Sequence, residues 1–359
     1  MKKKLLFLLT TMFALMLVLA ACGDSSEESE SAEENGEDES TEEETETASI
    51  DIGMLKLTSS APLFIAIENG FFEDEDLQVN VEWFDAAQPI AVATAGGDVD
   101  VGATGITASL YNMVGGGEEL LIVADKGREE EGYSSTAMMV PEDSDVEEIA
   151  DLKGKQIGIT QTGSTFHYMA GRLLEEHGLS TDDVELVPLN SIPGLMETLE
   201  SEQVDAVLLN EPNISLVEEE GYGKQIAQVG DNIDYQTSGI FFSKKFADDE
   251  EVAKRFLKAY AKATQYYYDA VLEKEGDEIV PGENFDEVVA IIADYTDQEP
   301  EIIEKGLPYM DRDGVLLDGD IQTQIDWYMK EGLLEVDLDA SEIVNTELLD
   351  EALSELGSE

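Results

Sequence analysis

Gln156-Ile-Gly-Ile-Thr160 alternates apolar β-formers, Gln161-Thr-Gly-Ser164 is a polar turn, and residues 165–177 are an amphipathic run closed by Gly178. This order reads as strand, turn and helix. A second strand is expected over 184–188. Asn190-Ser-Ile-Pro193 then opens another helix, and Val204-Asp-Ala-Val207 forms a third strand running to Asn210-Glu211. The same succession stands about a hundred residues earlier. Ile50-Asp-Ile-Gly-Met-Leu-Lys-Leu57 is the strand, Thr58-Ser59-Ser60 the turn, and a helix runs from Pro62 to Gly70. Residues 79–84, the turn Asp85-Ala-Ala-Gln88 before Pro89, and Val99-Asp-Val-Gly102 leading to Gly105-Ile106 complete the match. Strands alternating with helices of about ten residues predict a mainly parallel α/β sheet, and a duplicated unit predicts two of them. With their strand ends facing each other, the two units enclose a cleft.

Outward from this repeat, the extended segments 135–141 and 237–244 look like crossings between two lobes. The reading assigns 50–134 plus 239–359 to lobe 1 and 135–238 to lobe 2. Helical patterns over 247–275, 285–295, 299–306, 321–332 and 346–356 are expected to pack back on lobe 1. Two crossings between lobes provide hinges for rigid-body closure.

The chain begins with Lys2, Lys3 and Lys4 before an apolar run over 5–19 and the ending Leu19-Ala20-Ala21-Cys22, so residues 1–22 read as a targeting segment. Residues 23–49 hold 13 acids and no basic residue and read as an acidic disordered tether, reaching roughly 30 Å as a flexible coil. The full chain carries 82 Asp+Glu against 20 Lys+Arg, a formal charge of −62, which excludes a nucleic-acid backbone binder. Its acidic surface reads as a solvated, salt-screened one. One cysteine precludes an internal disulfide, and with two distant histidines, His167 and His177, it offers no zinc or iron–sulfur set. Gly-x-Ser-x-Gly and Walker A motifs are absent, so no catalytic residue and no cofactor are assigned. Asp311-Arg-Asp-Gly314 and Asp318-Gly-Asp320 read as turns, since Val315 stands where a calcium loop needs its next oxygen.

Pro62-Leu-Phe-Ile-Ala-Ile-Glu-Asn-Gly70, Gly97-Asp-Val-Asp-Val-Gly102, Leu152-Lys-Gly-Lys-Gln-Ile-Gly158, Val204-Asp-Ala-Val-Leu-Leu-Asn-Glu-Pro212 and residues 318–332 together resemble the nitrate/sulfonate/taurine and thiamine-pyrimidine (NMT1/THI5-like) group of solute-binding proteins. The resemblance covers essentially 50–356. It implies a bilobed type II periplasmic-binding-protein fold and a monomeric receptor that delivers a small molecule to an ABC permease driven by a separate cytoplasmic ATPase. The N-terminal segment resembles a lipobox, which implies lipidation at Cys22 and anchoring to the outer face of the bacterial cell membrane. Two rivals of another class are a pyrimidine-synthesis enzyme of the same fold family, against which the secretion signal speaks, and the sensor domain of a membrane kinase.

Helix starts at Ser60-Ala-Pro62, Ala87-Gln-Pro89, Gly105-Ile-Thr107 and Gly163-Ser-Thr165 offer N–H groups and hydroxyls that hold an anion without Lys or Arg. The bland alternative is that these hydroxyls cap their own helices. The expected ligand shell is Ser59, Ser60, Asp85, Gln88, Gly105, Ile106, Thr107, Gly163, Ser164, Thr165, Phe166, His167, Asn210, Glu211 and Ser238. Phe64 and Trp83 are expected in the core; Phe166 and His167 wall the cleft, or His167 is a satisfied surface histidine. Glu211 either accepts from a ligand amine or caps the helix after it. The leading ligand is a small sulfonate, nitrate or carboxylate, and the alternative is an aminopyrimidine.

Overall fold

The computed structural model describes residues 46–275 and 278–357; the targeting segment, Cys22 and most of the tether lie outside these residues. Ten strands make two five-stranded sheets. They are β1 (Ala48–Met54), β2 (Leu77–Trp83), β3 (Val101–Gly105), β4 (Leu120–Glu129), β5 (Thr136–Pro141), β6 (Gln156–Ile159), β7 (Glu185–Pro188), β8 (Ala206–Asn210), β9 (Gly223–Gln228) and β10 (Tyr235–Ser243). The first sheet runs β2-β1-β3-β10-β4 and the second β7-β6-β8-β5-β9. The repeat is therefore real in three dimensions: β1, β2 and β3 pair in parallel as β6, β7 and β8 do. Each sheet is mixed, because β10 and β5 run antiparallel to both their neighbours.

These reversed strands follow the passages between sheets, which lie between Glu129 and Thr136 and between Gln228 and Tyr235. Tyr235 to Ser238, assigned from sequence to the second lobe, thus already belong to a strand of the first sheet. Likewise β1 starts at Ala48, pairing Ala48 and Ser49 with Leu77 and Gln78, so the last tether residues are strand.

Two apolar clusters make the core. One joins β1, β3 and β10 to the helices Ala61–Glu68, Glu250–Val271 and Phe285–Thr296, with Phe64 fully buried. The other fills the second sheet and the opposite face of the first. Trp83 departs from expectation at 40% exposure, because β2 is an edge strand with one side open. One C-terminal helix bridges the two halves: Asp320–Lys330 packs on β10 of the first sheet, where Gln324 donates to the Gln236 carbonyl at 2.9 Å, and also reaches the second half. Helix Asp320–Lys330 lodges Ile325 and Trp327 in the second cluster, where Trp327 lies over Gly171, and Tyr328 donates its hydroxyl to the Ser164 carbonyl at 3.1 Å. Gly171 leaves room for that indole: an added Cβ would sit 2.2 Å from it.

Candidate functional site

The carboxyl ends of β1, β3, β6 and β8 and the starts of the helices after them converge on a cavity of about 60 Å³. Open α/β sheets place ligands at this edge, because helix N–H groups and non-helical loop residues accumulate there. From the first sheet it is lined by Leu55, Leu57, Thr58, Ser59, Ala86, Ala87, Thr104, Gly105, Lys126 and Gly127, with Thr237 and Ser238 from the returning strand. The second contributes Ser135, Thr136, Thr160, Thr165, Phe166, Met169, Ile192, Asn210 and Glu211.

The two halves touch around this cavity. Ala108 donates its N–H to the Gly163 carbonyl at 2.9 Å. Gly163 has φ +77°, and an added Cβ there would lie 2.9 Å from that of Ala108, so the approach requires glycine on both counts. Thr58 donates its hydroxyl to the Glu211 carbonyl at 3.4 Å.

Seven of the expected residues line the cavity: Ser59, Gly105, Thr165, Phe166, Asn210, Glu211 and Ser238. The others are placed elsewhere. Ser60 gives its hydroxyl to the Leu55 carbonyl at 3.0 Å. Thr107 and Ser164 accept from Leu110 and His167 N–H, so these two hydroxyls cap their own helices. Ile106 is core, Asp85 is exposed, and Gln88 lies on outer grooves. Gly163 lends its carbonyl to the seam between halves. His167 is buried rather than at the surface: its Nδ1 accepts from Gly163 N–H at 2.9 Å and its ring stands edge-on to Trp327. Burial holds its pKa below the usual imidazole range, with Glu331 opposing.

The residue that sequence reasoning missed is Lys126, in the middle of β4 and 1% exposed. Its ammonium donates to Ser59 Oγ at 3.0 Å and makes no ion pair among the described residues. Desolvation lowers its pKa to about 7, with Asp125 opposing. Asp125 is the next residue back and points to the other face of the strand. There its carboxylate accepts from Gly127 N–H, Gln236 Nε2 and Asp311 N–H, and burial raises its pKa to about 6. The sequence signal was a lysine inside the apolar run Leu120-Leu-Ile-Val-Ala-Asp-Lys126, which a buried strand tolerates only with a purpose for the charge.

Glu211, 7% exposed, accepts from the N–H and hydroxyl of Ser215 at 3.1 and 3.0 Å, so it does bond the helix that follows while lining the cavity. Burial pushes its pKa up to about 7 against those two bonds; Glu218 adds to the rise and Lys305 opposes it. Two further lining residues, Thr104 and Asn210, have a buried side-chain oxygen, Oγ1 and Oδ1, with no hydrogen-bond partner among the described residues. Buried polar atoms are rarely left so.

Two five-stranded sheets of like topology, joined by two passages and sharing a cavity at their carboxyl edges, define the bilobed fold of solute-binding proteins. The alkanesulfonate-binding protein of Xanthomonas axonopodis pv. citri, solved bound to MOPS, has this fold: the TM-score is 0.70 at 21% identity, covering 84% of this chain and 99% of that one. Residues 57–270 match the sequence profile described as NMT1/THI5 like, and the chain belongs to that family. A Bacillus subtilis (strain 168) protein provisionally named for binding aliphatic sulfonates is 26% identical over 369 aligned residues, covering 100% of this chain and 99% of that one. The taurine-binding periplasmic protein of Escherichia coli (strain K12) is 26% identical over 234 residues, covering 62% of this chain and 68% of that one.

Proposed function

We propose that this protein is the extracytoplasmic solute receptor of an ABC importer and that it captures a small anion between its lobes. The carrying observation is Lys126, a buried ammonium at the cavity with a single hydroxyl partner at 3.0 Å. Burying a charge without a counter-charge is costly, and an anionic ligand supplies the missing partner. Ser59, which accepts from Lys126, has its own hydroxyl proton to give, and Thr104, also lining the cavity, has a hydroxyl with no partner among the described residues. The relatives named for sulfonates and taurine support this class of ligand, and they are binding proteins rather than enzymes.

An aminopyrimidine is the second reading, favoured by Glu211 as an acceptor for an exocyclic amine.

The lobes that close on the ligand are residues 50–134 with 235–359, and 135–234. A monomer, tethered through lipidated Cys22 outside the bacterial cell membrane, hands its ligand to a permease served by a separate ATPase. The test is a thermal-shift panel of nitrate, methanesulfonate, taurine and acetate against 4-amino-2-methylpyrimidine. A bound anion at one hundred times its Kd stabilises by about 2.7 kcal/mol and raises Tm by several degrees. Stabilisation by the aminopyrimidine alone, lost in Glu211→Gln, would replace the anion reading with the second.

A further inference from the structure

We propose that Lys126 makes anion capture a proton-coupled event: among the described residues no carboxylate pairs with the amine, which bonds Ser59 Oγ alone, and an anion seated beside Ser59 provides a contact counter-charge and draws a proton from solvent onto Nζ. The inference rests on the anion reading above and adds its regulation.

The surroundings of Lys126 support it from every side. Among the described residues lining the cavity, Lys126 and Glu211 are the charged ones. Asp125, beside it on β4, is committed to Gly127, Gln236 and Asp311. Arg128, two residues on, is engaged by Glu130 and stacked on Tyr309. Glu211 is held by Ser215. The 58–60 turn, β3 and β10 present hydroxyls to the cavity.

With burial lowering Lys126 to about pH 7, most molecules at pH 8.5 carry the neutral amine. An anion within contact restores the ordinary preference for the ammonium. Each binding event then takes up close to one proton at pH 8.5 and none at pH 5.5, and affinity falls about tenfold per pH unit above 7. Glu211 responds with the same sign near neutrality, so its share is removed in Glu211→Gln.

Calorimetric titration of the full-length protein with methanesulfonate and with nitrate, in two buffers of different ionisation heat, reads the proton count directly. Support is an uptake near one at pH 8.5 that vanishes at pH 5.5 and persists in Glu211→Gln. Lys126→Met should lose most of the binding. Lys126→Arg, whose charge does not titrate, should bind with a flat pH profile and no uptake, which keeps the test open if the Met variant folds poorly. Binding at pH 8.5 without proton uptake, or equal uptake in Lys126→Arg, overturns the coupling while the anion reading stands. No binding of either anion at pH 5.5 refutes the anion reading, and the coupling falls with it.

Discussion

Gly105→Ala separates contact between the halves from the stability of either one. Gly105 ends β3 opposite Ser238, and a Cβ built there lies 2.6 Å from Thr165 Cγ2, 3.4 Å from its Oγ1 and 3.6 Å from Ala87 Cβ. Carbons settle at about 3.5–4.0 Å, so the start of helix Thr165–Glu176 must retreat by about 1 Å. That start is tied across the seam by Ala108 to Gly163 and Tyr328 to Ser164, and a retreat strains both bonds. An added methyl in a packed contact costs about 1–3 kcal/mol, which is about 5- to 150-fold in an equilibrium. Because Gly105 does not have a left-handed φ, alanine adds no backbone strain. The cost therefore falls on the closed arrangement. Methanesulfonate affinity by calorimetry should drop by that factor, with the denaturant m-value unchanged and the ligand-dependent compaction in solution scattering reduced. Thr165→Ser deletes Cγ2, keeps the hydroxyl and should restore most of the affinity in the double variant. Wild-type affinity in Gly105→Ala, or no rescue by Thr165→Ser, refutes the reasoning.

Native Glu211 keeps its proton to about pH 7 whereas an unfolded glutamate releases it near 4.5, so the native state binds more protons between these values and stability falls as pH rises through them. Glu211→Gln should remove that slope in chemical denaturation, gaining up to about 3 kcal/mol relative to wild type by pH 7, less a constant cost at Ser215; parallel pH profiles would contradict the assignment. Cys22→Ala should release the protein from the membrane fraction or leave it unprocessed, and retention of a processed variant at wild-type levels would argue against the anchor.

What the sequence determined by itself is what neighbouring residues decide together. Alternation in Gln156-Ile-Gly-Ile, Pro62 opening a helix and Gly70 after its close are local signals, and they recovered the repeated β-α-β units that define the fold. The ends of β3 at Gly105 and β8 at Asn210 were legible for the same reason, and with them a third of the cavity lining. Only the tertiary structure decided which hydroxyls at the cavity edge are already bonded. Thr107 and Ser164 cap the starts of their own helices, while the hydroxyl of Thr104, one strand position before Gly105, has no hydrogen-bond partner among the described residues. It also decided that Lys126 meets Ser59 across 67 residues, because β4 lies beyond β10 in the sheet while β1 leads into the 58–60 turn. Helix Asp320–Lys330 likewise took its place against Gly171 through a surface that no local pattern specifies. Periodicity fixes which face of an element is apolar, but strand order and the packing of one half on the other fix what that face and its polar neighbours meet.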